Sequence, residues 1–224
     1  MPIYCKIERK DGQRTAVWEI LEDENTLLRI VTLNTSDKNT FSQITNPGRR
    51  LEWLAIRALL KEFYPSLPSI DYHENGRPLL VNHRDKISIS HSGKLVAIAL
   101  HPVKNPGIDI EITHPRILKI STRFLNEHEK KYLGDQPTIE QLTIIWGAKE
   151  VMFKVYEHGD ISFKNDFTVK SFTPSSNGNI EGIIYKNTQT IHIPMEYRKI
   201  GNFILVQTNY SYSKFEKNPN FDTL

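Results

Sequence analysis

The sequence of 224 residues contains one cysteine, Cys5, so no internal disulfide can form. Its first residues lack the basic segment, apolar stretch and cleavage pattern of a secretion signal. The most apolar segment, residues 95–100, has the length of a strand and falls far short of the ~20 residues that span a bilayer. These absences predict a cytoplasmic protein that is not embedded in a membrane.

A strong charge of either sign is also missing. The 29 Lys and Arg residues are nearly balanced by 26 Asp and Glu residues, which leaves a formal net charge of +3. Because nucleic-acid binding usually requires a clear basic excess, no nucleic-acid partner is expected, and any preference for anions must be local. The 38% hydrophobic content is that of a globular protein, and the length allows one large domain or two small ones.

Several well-known catalytic signatures are absent. The sequence has neither a Walker A loop nor a Gly-x-Gly-x-x-Gly loop, which cradle phosphates through backbone amides. The serines around His91 also lack the Gly-x-Ser-x-Gly pattern of a hydrolase nucleophile. A phosphate ligand would therefore have to be held by side chains and a metal ion.

The clearest helix is predicted over residues 46–63. Asn46 can cap it, Pro47 suits the first helical position, and apolar residues recur at helical spacing until Pro65. Arg49 and Arg50 lie in its first turn, where positive charge opposes the helix macrodipole. They are either solvated surface arginines or contacts to a bound anion.

The other predicted elements are both strands and helices, while residues 1–33 fit either. The predictions are strands over 86–93, 95–101 and 107–112, helices over 115–133 and 138–156, and a β-rich region over 161–212 with a hairpin turn at 175–179. His158 and Gly159 are expected to end the second helix, Asn126 and Glu129 to form a capping box, and the last dozen residues to be frayed.

Asp109 and Glu111 alternate along the third predicted strand, so both carboxylates project from one face, ~6.6 Å apart. Two such side chains can close on one cation. Oxygen ligands without cysteine favour Mg²⁺, with Mn²⁺ as the alternative. Taken alone, an Asp-x-Glu pair is as well explained by two solvated acids on an exposed sheet face.

Trp146, Glu150 and Lys154 are spaced four apart on the last predicted helix and share one stripe, with Lys149 beside it. A Glu–Lys pair at this spacing is usually a surface pair. The tryptophan indicates instead that the stripe faces inward, where charged groups need a partner. His91 stands at a strand end and fits a general base, an anion ligand or a turn residue.

Four motifs become specific when their order is considered: Gly76-Arg77-Pro78, Ser88-Ile-Ser-His-Ser92, Gly107-Ile-Asp-Ile-Glu111 and Trp146-Gly-Ala-Lys-Glu-Val-Met-Phe-Lys154. In this order they resemble the 4'-phosphopantetheinyl transferase superfamily, in its surfactin-synthetase-activating (Sfp-like) branch. The sequence departs from the family pattern at two positions. Arg77 stands where lysine is commoner and Val151 where alanine or serine is usual, and neither change removes a charge or a ligand.

The resemblance implies an α+β fold of two pseudosymmetric halves, packed as one pseudodimeric unit with the active site between them, in a monomer. Residues 1–105 would bind the phosphoadenosine, and residues 106–224 would bind Mg²⁺ and carry catalysis. The implied activity is that of a holo-[acyl-carrier-protein] synthase type enzyme. It transfers 4'-phosphopantetheine from coenzyme A, the co-substrate, to a serine of an apo acyl or peptidyl carrier protein, with Mg²⁺, and releases adenosine 3',5'-bisphosphate.

The resemblance also implies roles for particular residues. The metal ligands would be Asp109, Glu111 and Glu150, and the catalytic residues Glu150, Lys154 and Asp109. The coenzyme A contacts would be Arg49, Arg50, Arg77, Ser90, His91 and Lys154, with Lys38 as a further candidate. Two choices stay open: whether Glu150 or a metal-bound water removes the serine proton, and which of Arg49 and Arg50 contacts the adenosine phosphate. Because carrier proteins are typically acidic around the serine, a locally basic rim is expected.

Two other functions compete with this one. A metal-dependent nuclease would also use an acidic pair with a Glu and a Lys, but it predicts a basic groove with interleaved aromatics, which the sequence does not offer. A degenerate transferase that only binds carrier proteins or coenzyme A would be favoured by a lost metal ligand, and none is lost.

Overall fold

A computed structural model describes residues 3–156 and 160–211 of the chain. The expected helix end at His158 and Gly159 and the expected frayed tail lie outside these residues. The chain forms two compact units; the first ends at Val103 and the second begins at Lys104. Each unit combines an antiparallel sheet with helices, which confirms the α+β prediction. None of the described helices is long and apolar enough to cross a membrane.

The first unit contains six strands and three helices in its described residues. They are β1 (Ile3–Glu8), β2 (Arg14–Glu19), α1 (Glu24–Ile30), α2 (Thr35–Gln43), α3 (Pro47–Lys61), β3 (Ile70–Tyr72), β4 (Pro78–Leu80), β5 (Lys86–Ser92) and β6 (Leu95–His101). The strands form one sheet in the order β1-β2-β6-β5-β4-β3. The ambiguous start of the chain is thus a hairpin followed by a short helix, which Asp23 caps through the Thr26 amide.

The predicted helix after Asn46 is confirmed as α3. The Asn46 side chain accepts a hydrogen bond from the Arg49 amide at 3.0 Å, so the helix start is capped as expected. Leu54 and Leu59 on its apolar face are fully buried. This face packs against β2 and β6, which fixes the helix on one side of the sheet.

The second unit contains five strands and three helices in its described residues. They are β7 (Ile108–Ile112), α4 (Arg116–Phe124), α5 (Glu127–Leu133), α6 (Ile139–Val155), β8 (Phe167–Val169), β9 (Asn177–Lys186), β10 (Gln189–Ile200) and β11 (Phe203–Thr208). The sheet order is β7-β11-β10-β9-β8, and α6 packs across it, against β7 and β11 above all. Both predicted helical regions are confirmed; the first is in two pieces, and the second piece begins with the predicted capping box.

The prediction of a hairpin turn at residues 175–179 is wrong. Residues 177–179 already belong to β9, which pairs with β10 from Asn177↔Arg198 to Lys186↔Gln189. The tight turn of this hairpin lies after Lys186, where Asn187 has a φ of +54°. Serine, asparagine and glycine favour turns locally, but the ladder to β10 satisfies the backbone of these residues and outweighs that preference.

Candidate active site

The acidic pair of the third predicted strand lies on β7 at the edge of the second unit's sheet. β7 pairs with β11, with Asp109 opposite Val206 and Glu111 opposite Ile204. Asp109 is only 6% exposed, and Glu111 is half-buried. Two solvated acids on an exposed face are therefore excluded as an explanation for this pair.

Lys154 on α6 contacts both a backbone atom and a side-chain atom of β7. Its Nζ donates to Asp109 Oδ1 at 2.9 Å and to the Ile108 carbonyl oxygen at 2.8 Å. The ion pair is nearly buried on the aspartate side and about one-quarter exposed on the lysine side. The structure thus brings two predicted catalytic residues, from different elements, into direct contact.

Glu150 lies one turn before Lys154 on α6 and faces the same region. Burial raises the pKa of Glu150 to about 7, and the negative charges of Asp109 and Glu111 add to this increase against the opposing effect of Lys154. The charges of Asp109 and Glu111 are therefore felt at the Glu150 carboxyl group. A half-buried carboxyl group with such a pKa can hold or accept a proton near neutral pH.

Two glycines of the motifs allow α6 to approach the sheet closely. A Cβ atom at Gly107 would lie 2.7 Å from Val151 Cγ1 and 2.8 Å from the Val151 carbonyl oxygen. A Cβ atom at Gly147 would lie 2.8 Å from Val206 Cγ2. Because only glycine fits such spacings, these positions set the distance between the acidic strand and the helix of Glu150 and Lys154.

We expect Gly107→Ala to destabilise the protein by ~1–3 kcal/mol, since the added methyl group meets both backbone and side chain of Val151. The change also separates α6 from β7. Urea unfolding measures the stability, and Gly48→Ala serves as control because its new methyl group would meet only the Asn46 side chain, at 3.3 Å. Equal stability of the two variants would contradict the assigned role of Gly107.

The three predicted metal ligands are carboxylates on β7 and α6. In residues 3–156 and 160–211, no three His, Cys, Asp or Glu side chains are close enough to form a complete metal-binding set. The donors themselves suit a hard divalent cation, since Asp109, Glu111 and Glu150 offer only oxygen atoms. A site that keeps waters and phosphate oxygens in its coordination needs fewer protein ligands, so the chemistry of this set fits Mg²⁺.

Lys149 has a structural role that the sequence does not reveal. Its ammonium group is fully buried and forms an ion pair with Glu129 Oε2 at 2.7 Å. The carbonyl oxygens of Phe124, Phe163 and Phe167 accept from the same nitrogen at 2.6–3.0 Å. Burial lowers the pKa of Lys149, and the charge of Glu129 opposes that effect.

Glu129 also does more than its predicted capping role. It accepts from the Asn126 amide at 2.9 Å, as the capping box requires, and from the Val169 amide at 2.8 Å. Together, Glu129 and Lys149 join α5, α6 and β8 through fully satisfied buried charges. Local sequence patterns could not show this, because the partners are backbone carbonyls far away in the chain.

Trp146, one turn before Glu150, belongs to an aromatic cluster. Its ring stacks on Phe163 at 5.5 Å and meets the edge of Phe124 at 5.3 Å. A cavity of about 270 Å³ opens here, lined by Ile120, Arg123, Phe124, Trp146 and Phe163. Trp146, Glu150 and Lys154 therefore all point towards other parts of the protein, as the tryptophan in this stripe predicted.

The first unit brings Arg49 and His91 together. Arg49 Nη1 lies 2.7 Å from His91 Nε2, and Glu52 lies 3.2 Å from Arg49 and 3.6 Å from His91 Nδ1. Because a guanidinium only donates, His91 Nε2 accepts here. The Arg49 side chain is 62% exposed, so this cation is open to a ligand.

Arg50, the neighbouring predicted anion contact, is held by the protein itself. Its guanidinium forms two 2.6 Å hydrogen bonds with Glu24 and two more with the carbonyl oxygens of Phe41 and Ile44. The side chain of Arg50 therefore braces α3 against α1 and the end of α2. The cost of a cation at the helix start is offset by these contacts.

The other predicted coenzyme A contacts lie on different elements of the first unit. Ser90 is 7% exposed on β5, next to His91. Arg77 is half-buried in the turn before β4, where its amide donates to Asn75 Oδ1 at 3.1 Å. Lys38 is exposed on α2. Ser88 and Ile87 on the same strand as Ser90 are buried as well.

The strand with Asp109 and Glu111 and the helix with Glu150 and Lys154 lie within residues 105–210, which match the family model of the 4'-phosphopantetheinyl transferase superfamily. This part of the chain is similar to that superfamily. The resemblance found in the sequence motifs is thereby confirmed at the level of the superfamily.

Named relatives agree with this assignment. The chain is 35% identical over 112 residues to the 4'-phosphopantetheinyl transferase AcpT of Escherichia coli strain K12, which covers 47% of this chain and 57% of the relative. It is 32% identical over 112 residues to the AcpT of Salmonella typhimurium, covering 47% of this chain and 58% of the relative. The matched region thus spans little more than half the length of these relatives.

Proposed function

We propose that the protein transfers the 4'-phosphopantetheine group of coenzyme A to a serine of an apo acyl or peptidyl carrier protein. The observation that supports this most strongly is the convergence of Glu150 and Lys154 on the acidic strand: Lys154 pairs with Asp109 at 2.9 Å, and both strand carboxylates act on Glu150. The match of residues 105–210 to the superfamily model supports this chemistry for these residues.

The reaction is a displacement at phosphorus. The serine oxygen forms a bond to the β-phosphorus of coenzyme A. The bond between this phosphorus and the oxygen that bridges it to the α-phosphorus breaks. Adenosine 3',5'-bisphosphate leaves with the electron pair of that bond. The site must therefore neutralise the pyrophosphate and take up the serine proton.

The negative charge of the pyrophosphate is neutralised by Lys154 and by a divalent cation. The ammonium group of Lys154 is held on β7 by Asp109 and remains partly exposed, so it can donate to a pyrophosphate oxygen without leaving its place. A Mg²⁺ ion bound by members of the predicted set Asp109, Glu111 and Glu150, with waters as further ligands, would supply additional positive charge to the pyrophosphate.

Glu150 is the candidate acceptor of the serine proton, directly or through a water that it orients. Its pKa of about 7 lies where a general base is most effective at neutral pH. The holo-[acyl-carrier-protein] synthase type, the Sfp-like branch, a cytoplasmic location and a monomeric state remain predictions.

In the first unit we propose that Arg49 and His91, with Arg77 and Ser90, bind the phosphates of the adenosine end. Arg49 is favoured over Arg50, because Arg49 is exposed beside His91 whereas Arg50 is held by Glu24. An arginine beside a histidine offers several donors to a phosphate.

The neighbouring arginines form a matched pair of variants. We expect Arg49→Ala to raise the KM for coenzyme A by ~10-fold and to leave thermal stability unchanged, because this exposed cation contacts the ligand. Arg50→Ala is expected to leave the KM for coenzyme A unchanged and to lower the Tm. It removes four hydrogen bonds that hold α3. An effect of Arg50→Ala on KM alone would contradict this division.

Intact-mass spectrometry of an apo carrier protein tests the proposed function. The carrier is incubated with this protein, coenzyme A and Mg²⁺, and a chelator replaces Mg²⁺ in the control. The proposal predicts a metal-dependent gain of one phosphopantetheine group. Coenzyme A binding without transfer to several carrier types would favour the degenerate binding protein, and metal-dependent cleavage of nucleic acid would favour the nuclease.

A further inference from the structure

Glu52 is a carboxylate inside the cluster of the first unit to which phosphate binding is assigned. It lies one helical turn after Arg49 on α3, and its Oε2 pairs with Arg49 Nη1 at 3.2 Å. Its Oε1 lies 3.6 Å from His91 Nδ1 on β5. A carboxylate beside an anion-binding pair repels the ligand unless its charge is used in another way. Phosphate binding through cations alone therefore does not explain why a glutamate stands here.

The three side chains of this cluster differ in their exposure to solvent. Glu52 is 19% exposed, His91 33% and Arg49 62%. A ligand that arrives from solvent therefore meets the two basic side chains more readily than the carboxylate. Because partly buried charges are screened less than exposed ones, the charge of Glu52 acts strongly on both of its neighbours.

The contacts of His91 determine where its ring proton lies. The Arg49 guanidinium donates to His91 Nε2 at 2.7 Å, so this nitrogen carries no proton in the arrangement that the structure shows. The proton of the neutral ring is then on Nδ1, the nitrogen that faces Glu52. Glu52 thus selects the tautomer of His91 and orients its ring.

In this state the cluster offers a phosphate little net charge. The positive charge of Arg49 is balanced by the negative charge of Glu52, and the ring of His91 is neutral. The oxygens of a phosphate dianion only accept hydrogen bonds, and His91 Nε2 is itself an acceptor here. His91 can therefore bind a phosphate only after Nε2 has gained a proton.

A second proton gives the ring a donor on each nitrogen. The Nε2–H group then donates to the phosphate, while the Nδ1–H group stays directed at Glu52. The carboxylate stabilises the imidazolium, because an opposite charge at this distance favours the charged form of the ring. Two charged side chains of α3, Arg49 and Glu52, face His91, and the residue opposite it on β6 is the uncharged Val96.

We propose that Glu52 is a positioning residue of the phosphate site, which holds His91 through Nδ1 and couples phosphate binding to the uptake of a proton from solvent at His91 Nε2. The proton forms the new Nε2–H bond, and no other covalent bond is made or broken. The proposal rests on the proposed function for the identity of the phosphate ligand. Glu52 itself touches neither the phosphate nor the reacting atoms.

Calorimetric titration with adenosine 3',5'-bisphosphate tests the proposal without carrier protein, metal or turnover. The same titration in two phosphate-free buffers of different ionisation enthalpy, near neutral pH, gives the number of protons taken up on binding. We expect Glu52→Gln to bind the bisphosphate ~10-fold more weakly than the wild type and to take up fewer protons, because the imidazolium has lost its counter-charge. Protonation of the ligand itself is common to both proteins and cancels in the comparison.

Further variants test whether Glu52 acts through the ring. His91→Gln should also lose the proton uptake, and Glu52→Gln added to it should weaken binding no further, since the carboxylate then has no imidazolium to stabilise. Glu62→Gln, at the opposite end of α3, removes the same charge and should match the wild type in affinity and in proton uptake. In turnover, Glu52→Gln should raise the KM for coenzyme A and leave kcat unchanged. Thermal unfolding checks that each variant is folded.

The outcomes separate this proposal from the proposed function. Bisphosphate binding that is absent in the wild type, or equal or tighter in Glu52→Gln, overturns the role of Glu52, whatever the transferase activity. Proton uptake that persists in His91→Gln, or losses that add in the double variant, would show that Glu52 does not act through His91 and overturn it as well. Weaker binding with reduced proton uptake, in a protein without transferase activity, would support the role of Glu52 and contradict only the proposed reaction.

Discussion

Replacing Glu150 by glutamine is expected to reduce the rate of phosphopantetheine transfer by ~10²–10⁴-fold, the range that general-base catalysis contributes. The variant keeps the size and hydrogen-bonding shape of the side chain but can neither accept the serine proton nor provide an anionic ligand. The fold should persist, because the change removes a carboxyl whose charge is disfavoured by burial and by Asp109 and Glu111. The rate is measured by single-turnover transfer to an apo carrier.

Glu140→Gln is the matched control for this experiment. Glu140 lies in the first turn of the same helix, α6, and pairs with Lys199 away from the acidic strand. We expect it to transfer at the wild-type rate. If folded Glu150→Gln and Glu140→Gln both transferred at that rate, Glu150 would have no part in the reaction and the assigned site would be wrong.

Replacing Lys149 by methionine is expected to cost ~3–5 kcal/mol of stability, because the carboxylate of Glu129 would remain buried without its partner. Three backbone carbonyl groups would lose a donor at the same time. For a chain of this length the loss corresponds to a decrease in Tm of roughly 10 °C. Thermal unfolding followed by circular dichroism measures it.

The neighbouring motif lysine provides the contrast. Lys154→Met should lose most of the transfer activity and less stability than Lys149→Met, since the lysine side of its ion pair with Asp109 is about one-quarter exposed. The double variant Lys149→Met with Glu129→Gln should recover part of the lost stability, because the unpaired charge is gone. A Tm of Lys149→Met equal to that of the wild type would show that the buried pair does not stabilise the second unit.

Much of the fold could be predicted because local rules acted without competition. Asn46 before Pro47, and Asn126 three residues before Glu129, place the starts of α3 and α5 where the structure has them. Alternation on β7 and four-residue spacing on α6 likewise identified the residues that converge. These signals depend only on residues that are close together in the chain, so a single sequence is enough to recognise them.

The remainder depends on contacts between distant segments. Arg49 and Arg50 look alike in the sequence, and only the position of Glu24 distinguishes the braced arginine from the exposed one. The same holds for Lys149, whose partners are mostly backbone carbonyl oxygens. At residues 175–179 the composition favours a turn, and only the long-range ladder to β10 outweighs it.

The most direct test of the central claim is the mass of an apo carrier protein after incubation with coenzyme A, Mg²⁺ and this chain, measured together with the nucleotide released. We expect each carrier molecule to gain one phosphopantetheine group and one adenosine 3',5'-bisphosphate to appear for each group transferred. Both products should form at least ~10²-fold more slowly with Glu150→Gln, and neither should form when the carrier serine is alanine. An unchanged carrier mass in the presence of the wild-type chain, with coenzyme A bound and Mg²⁺ present, would contradict the central claim.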